Sequence, residues 1–220
     1  IGENHPAFLQ ELELQVTPLE NELAVAEKVI LHHIKNAQDN RTNFIHWGST
    51  AEAMEGIYIT QQRIQSYIDQ KKYLIAVQLA ALCFRHAFEA MEYSDDSSGD
   101  IGSAVEDSIA LINQVTSEEE NSWTRLERAD VFEIIRLEAM HPDLEGWPDW
   151  RLDLLDACVP LCVDDDIEQQ FQALLQSLVK EGDSWSAQYT NKKIKELQLK
   201  ILTLKHSDEA VEQFLQQNLQ

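Results

Sequence analysis

Residues 73–93 read YLIAVQLAALCFRHAFEAMEY, and this stretch decides the fold. Leu74, Val77, Ala81, Phe84, Phe88 and Met91 recur at spacings of three and four, the period of one face of a helix. Ile75, Leu79, Leu82 and Cys83 add a second apolar strip beside the first. A helix apolar over so wide an arc must be covered on more than one side, which makes it a central helix.

The same period continues in both directions, and strand-like alternation is almost absent. A helix is expected over residues 19–37, with Leu19, Leu23, Ala26, Ile30 and Ile34 on one face, and a shorter one over 7–16. Ser49 followed by Glu52 has the spacing of a capping box and opens a helix to about residue 70. Beyond the central helix, SDDSSGDIG at 94–102 is the strongest turn in the chain. Helices are then expected over 103–115, 118–140, 149–163, 167–181, 186–205 and 207–219, punctuated by Pro142, Pro148 and Gly182. His206 and Ser207 alone join the last two, a link short enough for antiparallel neighbours.

Composition agrees. Of 220 residues, 7 are glycine and 5 proline, about half of average usage and too few for a β-sandwich or a Rossmann-type fold. Hydrophobic residues make up 44%, enough for a real core. The expected fold is all-α: a single domain over 1–220, built as a right-handed array of antiparallel helix hairpins in the tetratricopeptide manner, with eight or nine helices. No two segments align into the 34-residue tetratricopeptide repeat, so the stacking is irregular.

Charge points to a class of partner. The chain carries 39 acidic and 17 basic side chains, a net charge of −22. Such a field repels nucleic-acid phosphates and anionic membrane surfaces and steers basic proteins. Between Arg85 and Arg125 there is no lysine or arginine, while ten acidic residues fall there. Asp95, Asp96, Asp100, Glu118, Glu119 and Glu120 from this interval are the candidate partner-binding residues. The basic stretch of Lys192, Lys193, Lys195, Lys200 and Lys205 reads as a solvated or internally paired face. No run of about 18 apolar residues is uninterrupted. Three cysteines, Cys83, Cys158 and Cys162, cannot all pair. That usage is typical of a reducing compartment, so the cytoplasm is expected.

Catalytic chemistry finds little to stand on. Glu138 and His141 form the one Glu-x-x-His pair, where a carboxylate-bridged dimetal site needs two such pairs and two more glutamates. A metal-dependent helical enzyme built on them is the alternative reading. Cys158 and Cys162 lack the second ligand pair of a structural zinc site. The 94–102 turn misses the glycine register of a calcium loop in either frame. No nucleophile elbow or phosphate-binding glycine loop occurs. The histidines at 32, 33, 46 and 86 lie in or beside apolar helices and read as interface residues. No cofactor is expected.

Several segments carry a family resemblance. QLAALCFRHAFEAMEYSDDSSGDIGSAVEDS, NFIHWGSTAEA, HPDLEGWPDWRLDLL and LKILTLKHSDEAVEQFLQQNL resemble the helical region downstream of the zinc finger in bacterial SWIM zinc-finger proteins. The likeness runs from about residue 20 to the end, and Asp95-Asp96-Ser97 with Gly146-Trp147-x-x-Trp150 is its distinctive part. The finger itself, a Cys-x-Cys…Cys-x-His arrangement, has no match in these residues. The resemblance therefore implies the accessory arm alone: an interaction or scaffold array without zinc and without direct nucleic-acid contact.

Overall fold

The computed structural model describes residues 21–118, 123–205 and 208–218. Among these residues it has nine α-helices and no strand, so the protein is all-α. The helices are α1 Glu22–Ala37, α2 Thr50–Asp69, α3 Tyr73–Met91, α4 Asp100–Ser117, α5 Arg125–Ala139, α6 Pro148–Asp156, α7 Asp165–Ser177, α8 Trp185–Lys205 and α9 Asp208–Asn218. The helix expected over 7–16, together with Leu19, His206 and Ser207, falls outside the described residues.

The backbone falls into two compact units, Ile1–Val115 and Thr116–Gln220. In the first, α3 is central as its two apolar strips require. Ile75, Leu79 and Cys83 are buried along with Val77, Phe84 and Phe88, and α1 and α2 pack on it. By length and composition alone α3 could cross a membrane, but 67% of its most apolar window is buried inside the protein.

Helices α1 and α2 touch through a gap that only glycine allows. A Cβ on Gly56 would sit 2.8 Å from the Val29 carbonyl oxygen and 2.9 Å from Ile30 Cα, both backbone atoms of α1. The loop between the two helices is tied down at Ile45. Its N–H donates to the Tyr93 carbonyl at 2.9 Å, and its own carbonyl accepts from Asp95 N–H at 2.9 Å. The expected capping box at Ser49 does not form. Ser49 stands at the N-cap of α2 without a side-chain cap bond, because Trp47–Ser49 already coils into a 3₁₀ turn there.

The second unit is organised around an element the periodicity mistakes. One helix is expected over 149–163, but α6 stops at Asp156 and Val159–Val163 forms a 3₁₀ turn. Pro160 is the reason: it has no N–H to give and its ring would strike the carbonyl four residues back. The turn buries Val159, Leu161 and Cys162 and packs against α5, α7 and α8. Helix α5 likewise starts late. Thr124 and Glu127 form a reciprocal capping box, with Glu127 N–H donating to Thr124 Oγ1 at 3.2 Å and Thr124 N–H to Glu127 Oε2 at 2.8 Å. Phe132 of α5 meets Phe171 of α7 edge to face, ring centroids 6.3 Å apart.

Candidate functional site

In the first unit, α2 and α4 enclose a surface groove. Tyr58, Gln61, Gln62 and Gln65 line it from α2, and Asp107 and Gln114 from α4. Ala110 and Leu111 of α4 complete the lining. Most of it comes from the polar positions of two amphipathic helices, whose apolar faces, including Ile57 and Ile64 on one and Ile101, Val105 and Ile112 on the other, lie buried. Gln61 holds the two helices together, its amide nitrogen donating to the Ala104 carbonyl and to Ser108 Oγ, each at 3.1 Å. Gln62 and Gln114 are exposed. A carboxamide both donates and accepts, so such a lining matches the groups of a peptide backbone.

The field in the groove is negative. Burial is the main force raising the Tyr58 hydroxyl pKa, and the charges that raise it further are Asp100, Asp107, Asp96 and Glu55. Tyr58 also joins the groove to the acidic turn, donating its O–H to the Asp100 carbonyl at 3.0 Å.

The turn uses its carboxylates locally. Asp95 Oδ1 accepts from the Ser97 N–H at 3.1 Å and from the Ser97 hydroxyl, bonds that hold its pKa below the ordinary range. Asp96 caps α4, one oxygen accepting from Ile101 N–H and the other from Gly102 N–H, both at 2.9 Å. Asp100 Oδ2 lies 2.7 Å from Thr50 Oγ1 and 2.7 Å from Ser98 Oγ, and those hydroxyls lower its pKa. Gly99, at φ +81°, supplies the left-handed residue the turn needs. The three aspartates are thus brought together as partly covered turn groups. Glu118 is half-buried beyond the end of α4, and Glu119 and Glu120 lie outside the described residues.

The metal candidate does not assemble. Glu138 is buried on α5, whereas His141 is exposed past its end, with Nδ1 3.3 Å from Asp143. Among the described residues no three histidine, cysteine or carboxylate side chains gather as metal ligands. All three cysteines are buried and unbridged, and the Cys162 thiol donates to the Cys158 carbonyl at 3.4 Å. Of the four histidines expected at interfaces, His33 and His86 are buried, whereas His46 is exposed and His32 is half-buried and bonded to Asn36 of its own helix. His86 of α3 sits between Glu27 of α1 at 3.5 Å and Glu89 at 3.4 Å, while the buried Nε2 atoms of His33 and His86 make no hydrogen bond.

Four of the five lysines in the basic stretch on α8 are internally paired, and Lys195 is exposed. Lys192 and Lys193 face Glu196 at 3.9 and 3.8 Å. Lys200 reaches Asp156 at 2.6 Å, and Lys205 contacts Asp165 and Glu168. What the sequence reading misses is the row of glutamines along α2. Gln61, Gln62 and Gln65 look generic in a helix, and their meaning depends on which helix lies alongside. No protein-family model, curated protein or solved structure matches the chain.

Proposed function

We propose that the chain is a non-catalytic protein-interaction module whose α2–α4 groove takes a basic segment of another protein. The single observation that carries this reading is the lining: four glutamines with Asp107, the α4 side of which falls in the interval 86–124 that has no lysine or arginine. Amides would pair with the partner's backbone and the carboxylates with its cations.

The architecture proposed is a right-handed array of antiparallel helix hairpins, tetratricopeptide-like. Two sets of contacts support it. Glu22 meets Arg63 while Val29 meets Gly56, so α1 and α2 run in opposite directions. Tyr58 meets Asp100 and Gln61 meets Ala104 and Ser108, so α2 and α4 run in the same direction. Alternation of this kind is what stacked hairpins produce. The quoted resemblance extends the proposal to an accessory arm of a SWIM zinc-finger protein acting in the cytoplasm, with the finger outside these residues.

A photo-crosslinking residue placed at Gln62 or Gln114 tests the groove. The expected product is a covalent partner attached through a lysine- or arginine-rich segment, lost when Asp107→Lys reverses the local charge. Crosslinking that survives Asp107→Lys, or that reaches no protein, would exclude the groove. Cell fractionation tests the compartment, and the reading frame upstream of Ile1 tests the accessory-arm proposal.

A further inference from the structure

The second unit carries a different surface, built of aromatic rings. Trp147 stacks on Trp150 at the start of α6, centroids 4.5 Å apart and planes 7° from parallel. Trp185 stacks on Tyr189 in the first turn of α8, centroids 5.4 Å apart and planes 19° from parallel. Helix α6 packs against α8, and Asp149 lies close enough to the Tyr189 hydroxyl to raise its pKa, which brings the two pairs together. The patch faces water: Trp185 is 74% exposed and Trp147 42%. Two large indoles left this open in one place are uncommon away from binding surfaces.

The charges that act on the Tyr189 hydroxyl share one sign. The Tyr189 hydroxyl is pushed up to about 12, first by the Asp149 carboxylate close to it, then by burial, and then by the fields of Asp149, Asp153 and Glu196. Four basic side chains of this unit are tied to other groups, Lys192 and Lys193 to a carboxylate and Arg151 and Lys180 to neutral acceptors. Arg151 donates to the carbonyls of Ala139 at 3.0 Å and His141 at 3.3 Å. Lys180 donates to Ser186 Oγ at 3.3 Å, and Lys192 and Lys193 face Glu196.

We propose that this patch captures arginine side chains of a basic protein segment, the guanidinium lying on the Trp185 or Trp147 ring and donating to Asp149 or Asp153. Exposed indole faces attract cations through the ring quadrupole. Arginine fits better than lysine because its planar fork stacks on a ring and reaches a carboxylate with two N–H groups at once. The inference rests on the interaction-module reading for the kind of partner, but it uses other residues in the other unit.

The test is titration of the 220-residue chain with a short arginine-rich peptide, read by indole fluorescence and calorimetry, beside the same peptide carrying citrulline. Citrulline keeps the planar shape and removes the charge. Saturable binding of the arginine peptide alone is expected, weakened about tenfold, equivalent to about 1.4 kcal/mol, by Trp185→Ala and by Asp149→Asn. Trp185 is exposed enough that its removal leaves the helix standing, which circular dichroism checks. Equal binding of the citrulline peptide, no binding at all, or affinity unchanged in both variants overturns the proposal. The Asp107→Lys variant separates the two surfaces. Loss there with no loss in Trp185→Ala removes the aromatic site and leaves the groove, whereas the reverse pattern removes the groove and leaves the aromatic site.

Discussion

Arg63 of α2 closes in a two-pronged contact on Glu22 at the first turn of α1, and the carboxylate it meets is fully buried. The guanidinium also donates to the Tyr67 hydroxyl at 3.1 Å, and its bond to Glu22 raises its pKa. A buried charge left without its partner is costly, about 3–5 kcal/mol. Arg63→Ala should therefore destabilise the first unit by about 3 kcal/mol, near the low end because Arg63 keeps some contact with water. Hydrogen exchange resolved to α1 and α2 measures the effect within that unit. Unchanged protection of both helices in Arg63→Ala would show the pair to be incidental.

Gly56 gives a sharper steric prediction. Its missing Cβ would meet backbone, which cannot rotate away as a side-chain tip can. Gly56→Ala should cost about 1–3 kcal/mol through displacement of α1, despite alanine's better helix propensity. Gly48→Ala is the control, since nothing lies within 4 Å of the Cβ it adds. Thermal melts of the two variants should separate clearly, with only Gly56→Ala lowered.

These two contacts mark how far the sequence could be read. The α3 stretch declares itself because its signal is local: a wide apolar arc predicts a covered helix whatever the neighbours are. The ends of α5 and α6 go astray because a capping threonine and a proline interrupt an apolar period that continues through them. For the site, the acidic interval is legible as charge, but not the fact that Asp95, Asp96 and Asp100 spend their oxygens on Ser97, Ile101, Gly102, Thr50 and Ser98. The groove depends on α2 lying beside α4, more than 40 residues away in sequence, and nothing local encodes that. The tryptophans of the aromatic patch are legible in the sequence, but not the exposure of Trp185 and Trp147, which depends on how the helices pack.

Asp96 should behave as a structural cap, although it lies in the acidic interval. Its two oxygens satisfy the Ile101 and Gly102 N–H groups, donors that an α-helix start otherwise leaves unpaired. Asp96→Ala should cost about 1 kcal/mol, as loss of a capping side chain does, whereas Glu106→Ala on the exposed face of α4 should cost little. Chemical denaturation of both variants checks this. Equal midpoints would return Asp96 to the pool of free docking charges.

In the second unit, Asp164 gives a pH dependence with a definite sign. Arg128 Nε donates to Asp164 Oδ2 at 2.6 Å and its guanidinium to Oδ1 at 3.3 Å, and this holds the carboxyl below its ordinary range. The folded state thus favours the ionised form. Its stabilisation is complete above the ordinary aspartate pKa of about 3.9 and disappears as pH falls through the lowered folded value. Asp164→Asn should therefore melt lower at neutral pH and approach the unsubstituted protein toward about pH 2. A gap between the two melting curves that stays constant with pH would assign the effect to packing.

The cysteines should be silent until the protein opens. Burial raises the Cys83 thiol well out of the reactive range and lifts Cys162 to about 12, and Cys158 is raised by burial with Cys162 and Asp156 adding to it. Thiolate is the attacking form, so both access and ionisation are denied at each position. A thiol reagent at about pH 8, near the ordinary cysteine value, should label none of the three in the native chain and all three in urea. Cys162 is the most informative, because it lies in the 3₁₀ turn that joins α5, α7 and α8. Its rate of labelling below the unfolding midpoint should follow the opening of the second unit, and Cys83 that of the first. If the two thiols label at one common rate in rising urea, the units unfold together; distinct rates would show that each compact unit is a folding unit in its own right.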